Sequence, residues 1–215
     1  VPRKLPTPGL EEFENKNIFY SVKKRSDFEG KKILIAGGGD SALDYVLGFH
    51  KIALDITLIH RRKEFKGVQD SVNKVMNLVD QKEVNFNMGT IKKMTDNGKG
   101  QVDITLDDET YIEGVDAVFP FFGLKIELGP IADWGLNLDN NLIAVNTENF
   151  ETSVPRIFAV GDICTYPGKL KLILSGFHEA ALAAKKMFTY CHDDKKYVFR
   201  YTTSSKDLQE KLGVK

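Results

Sequence analysis

Cysteine is scarce in this 215-residue chain: Cys164 and Cys191 stand alone and form no Cys-x-x-Cys pair. Two thiols exclude a disulfide-stapled secreted scaffold and favour a reducing, cytosolic compartment. Net charge is missing as well. Thirty Lys and Arg against thirty Asp and Glu leave no long-range field of the kind a nucleic-acid or anionic-membrane binder uses, so any anion site must be local. Long apolar runs are absent too. The longest, residues 115–124, is broken by Asp116, Pro120 and Gly123 and falls far short of a bilayer span. No His/Cys/Asp/Glu cluster has metal-ligand spacing, and neither internal repeats nor low-complexity tracts occur. The first residue is Val1, no basic leader with an apolar core follows it, and Pro2, Pro6, Pro8 and Gly9 read as a linker. The chain is expected to begin in the middle of a longer polypeptide.

What is present is ordinary globular material, 42% hydrophobic and 28% charged, enough to bury a core. A short strand is expected over residues 17–22. The strongest local pattern follows: a buried-strand run, Ile33-Leu34-Ile35-Ala36, then Gly37-Gly38-Gly39-Asp40-Ser41-Ala42, then Leu43, Val46, Leu47 and Phe49 on one face of a helix, then a second β-branched run at 56–59. This is a βαβ unit. Residues 68–82 supply the next helix through Val68, Val72, Val75, Met76 and Val79. Alternating segments at 90–95, 102–106, 110–112 and 115–119, cut by Asn97-Gly98 and Asp107-Asp108, predict an antiparallel meander. Beyond a crossover at 123–130 come strands at 142–145 and 157–160, the pair Gly161-Asp162, and a late helix with Phe177, Ala181, Ala184 and Phe188 on one face.

The glycine run fits the dinucleotide fingerprint Gly37-x-Gly39-x-x-Ala42. Its first glycine permits a tight turn, the next lets backbone approach a pyrophosphate, and Ala in the last place still allows close helix–strand packing. A helix opening near Asp40 aims unpaired N–H groups and its positive end at the phosphates. The end of the second strand decides which dinucleotide. A carboxylate there holds a ribose 2′-hydroxyl, whereas this sequence has His60-Arg61-Arg62. Two guanidiniums grip a 2′-phosphate through charge-assisted bonds, so NADP(H) is expected over NAD(H), with His60 in a supporting role near the adenine end.

Taken in order, Gly-Gly-Gly-Asp-Ser-Ala at 37–42, His-Arg-Arg at 60–62 and the late Gly161-Asp162 box resemble the thioredoxin-reductase-like flavoproteins over nearly the whole chain. Disulfide reductases of that superfamily carry a Cys-x-x-Cys just before the NADP domain's first strand; the matching stretch here is Ser21-Val22-Lys23-Lys24. With Pro2-Arg3-Lys4-Leu5 and the run from Gly161-Asp162-Ile163-Cys164 through Ser175-Gly176-Phe177 to Glu179-Ala180, the chain is similar to the cysteine-free ferredoxin–NADP reductase branch. The resemblance implies a flavin-dependent oxidoreductase and homodimer that takes hydride from NADPH onto FAD and passes single electrons to ferredoxin. It further implies that Asp162 bonds the flavin's ribityl or phosphate region and that Thr203, in Thr202-Thr203-Ser204, adds a flavin contact. No acid–base or nucleophilic residue is required of the protein.

The fold class expected is α/β: a linker (1–14), a Rossmann-like NADP-binding domain with an antiparallel meander (15–123), the C-terminal portion of a second, FAD-type domain (124–203), and a polar tail (204–215). By family analogy the NADP domain rotates against the flavin, making residues 6–14 and 123–129 hinge candidates. The family's first flavin fingerprint, a second strand followed by Gly-x-Gly-x-x-Gly, does not occur in these 215 residues, and the isolated chain is expected to bind FAD poorly. Two alternatives stand beside this reading: a thioredoxin-reductase-like disulfide reductase, disfavoured by Ser21 and Lys24, and a non-catalytic NADP-binding module. His50, His178, His192, Cys164 and Trp134 are read as surface or packing residues, and Lys23-Lys24-Arg25 as a solvated face.

Overall fold

β1 (Lys32–Ala36) is apolar on both faces because it is covered on both faces. In the computed structural model, which describes residues 1–198, 201 and 205–213, the chain divides into two compact units, Val1–Lys125 and Ile126–Lys215. In the first unit β1 leads into α1 (Asp40–Phe49), β2 (Asp55–His60), α2 (Gln69–Asp80) and β3 (Asn85–Met88). Then come β4 (Ile91–Asp96), β5 (Val102–Leu106), β6 (Tyr111–Val115) and β7 (Ala117–Pro120).

Two sheets result. One is parallel, in the order β3-β2-β1-β7; the other is the antiparallel meander β4-β5-β6. Strand alternation sorts the core into two layers on either side of the parallel sheet. Ile33 and Ile35 face Ala42, Leu43, Val46 and Phe49 of α1 and Val75 of α2. Leu34 and Ala36 face Met94, Val102, Ile104 and Leu106 of the meander. Helices, parallel sheet and meander thus form three layers. The chain runs outward from β1 through β2 to β3 and returns to place β7 on β1's other edge, so strand order reverses at β1. A crevice is expected at the carboxyl end of such a reversal point.

Several expectations are corrected. Residues 17–22 make no strand: Ile18 forms single bridges to Val118 and Glu14, while Asn17 and Phe19 flank it through backbone bonds to Val118. The run 115–119 is not one meander strand. Asp116 interrupts it, accepting from the Lys32 N–H at 2.9 Å through its carboxylate, and residues from Ala117 onward join β1 in the parallel sheet. β3 went unread because Asn-Phe-Asn-Met is a polar edge strand with little apolar pattern. Residues 1–14 are packed rather than strung between domains: Leu10 and Phe13 are buried in the core, and Glu14 receives Lys4 and the Tyr20 hydroxyl. Burial first, then the bond to Glu14, pushes the Tyr20 phenol up to about 12, so it remains a donor.

The second unit contains β8 (Leu138–Asp139), β9 (Leu142–Ala144), β10 (Cys164–Thr165), α3 (Ile173–Cys191) and α4 (Lys206–Lys211), the last lying within the expected polar tail. Its core is small, built on Leu128, Leu136, Ile143, Ala159 and Cys164. Residues 157–160 form no strand, only a bridge from Phe158 to Glu151. The buried face of α3 carries Glu179 and Ala183, while Phe177 is 73% exposed. An ionisable residue at a core position defeats a hydrophobic-periodicity reading. Among the described residues no helix is long and apolar enough to cross a membrane.

Phe119 on β7 ties the aromatic layer together, with ring centroids 5.5 Å from Phe49, 5.2 Å from Phe28 and 5.6 Å from Tyr45. Phe119→Ala should cost about 3–5 kcal/mol of unfolding free energy. Urea titration followed by circular dichroism measures it, and a loss below about 1 kcal/mol would show that this layer is not the unit's structural centre.

Candidate functional site

The reversal point carries the glycine turn. Gly37 leaves β1 with φ 152°, and a Cβ there would stand 2.7 Å from the Phe121 carbonyl oxygen, so glycine is demanded by the close passage of the chain leaving β7. At Gly38 the demand comes from His60, whose imidazole Nε2 would meet a Cβ at 2.4 Å. Gly39 differs. Its φ is an ordinary −101°, and nothing in the protein lies within 4 Å of where a Cβ would go. No protein contact requires glycine there, which leaves room for a pyrophosphate to approach the backbone at the start of α1.

Around this turn is a cleft of about 710 Å³ lined by residues 36–39, 59–62, 64–66, 89–91, 121–123 and 3–7. It brings Gly37, Gly38, Gly39, His60, Arg61 and Arg62 together as the sequence predicts. Arg61 and Arg62 are exposed at the rim. Ala42, by contrast, is wholly buried in the helix–sheet seam and serves packing; Ser41 is exposed on the first turn of α1. Asp40 is turned to the backbone of Val68, its Oδ1 accepting from that N–H at 2.7 Å. Sequence reasoning missed Arg3, Lys4 and Lys66, all of which line the cleft. Lys66 had one available signal, as a further cation in the short loop after Arg62. The first two were hidden in what read as linker. Together these residues gather cations in one place on a neutral protein, with Glu64 in the same cleft and Lys4 paired to Glu14.

His60 stays neutral more readily than a free imidazole. Burial lowers its pKa most; the Glu64 carbonyl works against this, and the charges of Arg61, Arg62 and Lys66 lower it further. A carbonyl can only accept, so Nε2–H donates to Glu64 at 3.2 Å. The ring lies 5.3 Å from Phe65, which in turn lies 5.6 Å from Phe86.

In the second unit Asp162 lies on the single turn Gly161–Ile163, its side chain exposed and with no hydrogen-bond partner among the described residues. What fixes the turn is a residue the sequence did not single out as functional. Glu179, fully buried, accepts from the Gly161 N–H at 2.6 Å, from the Tyr166 hydroxyl at 2.8 Å and from the Lys169 ammonium. Burial disfavours its charge, yet these donors outweigh it and hold the carboxyl below its ordinary range. Cys164 also points at this carboxylate, and burial raises its thiol pKa, so it remains a protonated packing residue. The Asp162 carboxylate is free on an anchored turn close to α3, whose start exposes Leu172, Ile173 and Leu174. Thr203 lies outside the described residues.

A parallel sheet reversing at β1, a glycine turn feeding a helix, and a basic rim at the end of β2 define a dinucleotide-binding α/β protein. The chain belongs to the pyridine nucleotide-disulphide oxidoreductase family, whose profile matches residues 1–184. It is 53% identical to a ferredoxin–NADP reductase of Parvibaculum lavamentivorans over 217 residues, covering 99% of this chain and 63% of the relative. With the corresponding protein of Nitrobacter winogradskyi identity is 51%, at the same two coverages. The chain therefore spans a little under two thirds of the length of these relatives. Among solved structures it resembles Lactococcus lactis thioredoxin reductase, with TM-score 0.70 and 23% identity over 90% of this chain and 64% of that one. Thioredoxin reductase of T. acidophilum gives TM-score 0.69 at 21% identity, over 89% and 63%. These structural likenesses concern the fold alone.

Two consequences are measurable. Glu179→Gln leaves the buried Lys169 ammonium without its counter-charge and should cost about 3–5 kcal/mol in a urea titration. Because the folded carboxyl titrates below its unfolded value, its stabilisation is present above about pH 4.3 and is lost as pH falls through the folded pKa. The variant should lose that acid limb. His60 has the opposite charge type: its lowered pKa means that the unfolded chain binds more protons below about pH 6.5, so stability should decline as pH drops from there. His60→Gln should flatten this segment of the stability profile, and an unchanged slope between pH 7.5 and 5 would contradict it.

Proposed function

We propose that this chain contributes the NADP(H)-binding domain and the C-terminal portion of the FAD-binding domain of a ferredoxin–NADP reductase. The observation that carries the reading is the cleft at the end of β1. There a turn open to a pyrophosphate at Gly39 lies beside Arg61 and Arg62, where an NAD-selective site needs a carboxylate. Its support beyond the cleft is that ferredoxin–NADP reductases are about half identical to this chain over nearly all of its length, together with Ser21 and Lys24 where disulfide reductases of this fold carry their cysteines.

Each group then has a task. Gly37 and Gly38 shape the turn, Gly39 leaves space for the pyrophosphate, and the start of α1 directs free N–H groups toward it. Arg61 and Arg62 clasp the 2′-phosphate, Lys66 adds charge at the same rim, and neutral His60 buttresses the turn through Gly38. In the second unit Asp162, on the turn that Glu179 anchors through the Gly161 N–H, would bond the ribityl or phosphate region of FAD. When bound, FAD supplies the exchange between hydride and single-electron chemistry that ferredoxin requires. A homodimer in a reducing cytoplasm completes the reading.

Replacing both rim arginines by Ala should raise the dissociation constant for NADPH about a hundredfold while changing that for NADH less than about threefold. Fluorescence titration with each nucleotide decides this, and equal losses would remove the 2′-phosphate from these residues. Gly39→Ala should lower the melting temperature by no more than about 4 °C, because the added methyl meets only open space and only glycine's advantage at the N-cap of α1 is lost, yet weaken both nucleotides at least about tenfold. Undiminished binding would mean that the pyrophosphate lies elsewhere.

A further inference from the structure

Asp40 is the first residue of α1, at the helix end where an incoming pyrophosphate is expected, and a carboxylate there repels such an anion. The structure gives it other work. Its Oδ1 accepts from the N–H of Val68 at 2.7 Å, across 28 residues of chain. Val68 is the residue preceding α2, so the bond ties the entry to that helix to the first turn of α1. Gly67 permits the approach: a Cβ there would stand 3.1 Å from Asp40 Oδ1 and 2.5 Å from Leu43 Cδ1.

Two more ties hold the same loop. The Lys66 N–H donates to the Gly38 carbonyl at 2.7 Å, and His60 Nε2 to the Glu64 carbonyl at 3.2 Å. Residues 61–68 are therefore fastened to the glycine turn and to the start of α1, and Arg61, Arg62 and Lys66 ride on that loop. Of the three ties, only the one from Asp40 is a side chain of the phosphate-binding turn reaching the far end of the loop. A loop held at both ends presents its cations in one arrangement and loses less conformational entropy when an anion docks.

We propose that Asp40 is a positioning residue that sets selectivity for the 2′-phosphorylated nucleotide without touching it, by accepting from the Val68 N–H at the entry to α2 and so holding the arginine-bearing loop over the glycine turn. The proposal rests on the reading of the cleft as an NADP(H) site. It separates two effects of one carboxylate. Repulsion of the pyrophosphate acts equally on phosphorylated and unphosphorylated nucleotides, whereas loss of the latch falls on the 2′-phosphate alone.

The ratio of dissociation constants for 5′-AMP and 2′,5′-ADP, measured by calorimetry on the full 215-residue chain, therefore reads the latch and cancels the repulsion. Asp40→Ala should lower that ratio about five- to tenfold. Asp40→Asn, which keeps an oxygen acceptor and discards the charge, should restore it to within about twofold. Val68→Pro removes the donor and puts the ring Cδ where the hydrogen was, so the exposed Asp40 side chain turns away to solvent with its charge kept. Val68 has φ −57°, which proline accepts, and a 63% exposed side chain, so the substitution is compatible with folding even where Asp40→Ala is not. It should give the same fall, with no further loss in the double variant. An unchanged ratio in Val68→Pro or in Asp40→Ala overturns the proposal, as does an Asn variant that behaves like Ala. Arg61→Ala with Arg62→Ala serves as reference. If that pair moves the ratio and the latch variants do not, the latch alone is wrong; if neither moves it, the assignment of the cleft fails and takes the latch with it.

Discussion

The first unit depends on how closely three strand ends approach one another. Where β1 stops, Gly37 donates to Ile59 of β2 at 3.0 Å, and Phe121, just past β7, donates to Ala36 at 2.7 Å. This lacing brings the Phe121 carbonyl to a point that no side chain at Gly37 could share. Had the turn been wider, α1 would start farther from the sheet and its free N–H groups would face water. The absent Cβ is thus a packing constraint first, and the crevice follows from it.

Charge is then added locally to a neutral molecule. Arg61, Arg62 and Lys66 occupy one loop, and Arg3 and Lys4 approach from the N-terminal segment, itself held by Leu10 and Phe13 in the core and by Glu14. Several cations close together would repel one another if the loop were free. His60, donating to the Glu64 carbonyl, and the Lys66 N–H, donating to the Gly38 carbonyl, hold it in place. The second unit works with the opposite economy. Its apolar core is small, and a single buried carboxylate, Glu179, gathers the Gly161 amide, Tyr166 and Lys169 into one network that fixes the Asp162 turn. Such a network is rigid because breaking any member strands a buried charge.

The βαβ unit was legible because local chemistry dictates it: β-branched runs buried on both faces, glycines at the turn, and apolar residues at helical spacing all act within thirty residues. The same locality made the glycine turn and the arginine rim readable as one site. Elements that failed to show are those whose identity depends on distant partners. β3 is polar because it is an edge. The 115–119 run looked like a continuation of the meander, although Asp116 bonding to Lys32 diverts the chain into the other sheet. Leu10 and Phe13 seemed to belong to a proline-rich linker until the meander was there to cover them.

What the amino-acid order determined by itself is the set of short-range instructions: strand, turn, helix, and a basic rim at a fixed distance from the first glycine. Those follow from backbone sterics and hydrophobic period, which need only neighbours in the chain. Tertiary structure alone decided that Asp40 bonds a backbone N–H 28 residues away, that Lys66 and Arg3 share a cleft, and that Glu179 is a buried anchor and not a solvated helix residue. Each of these depends on which side chains converge and on whether water is excluded where they meet, and sequence proximity carries no information about either.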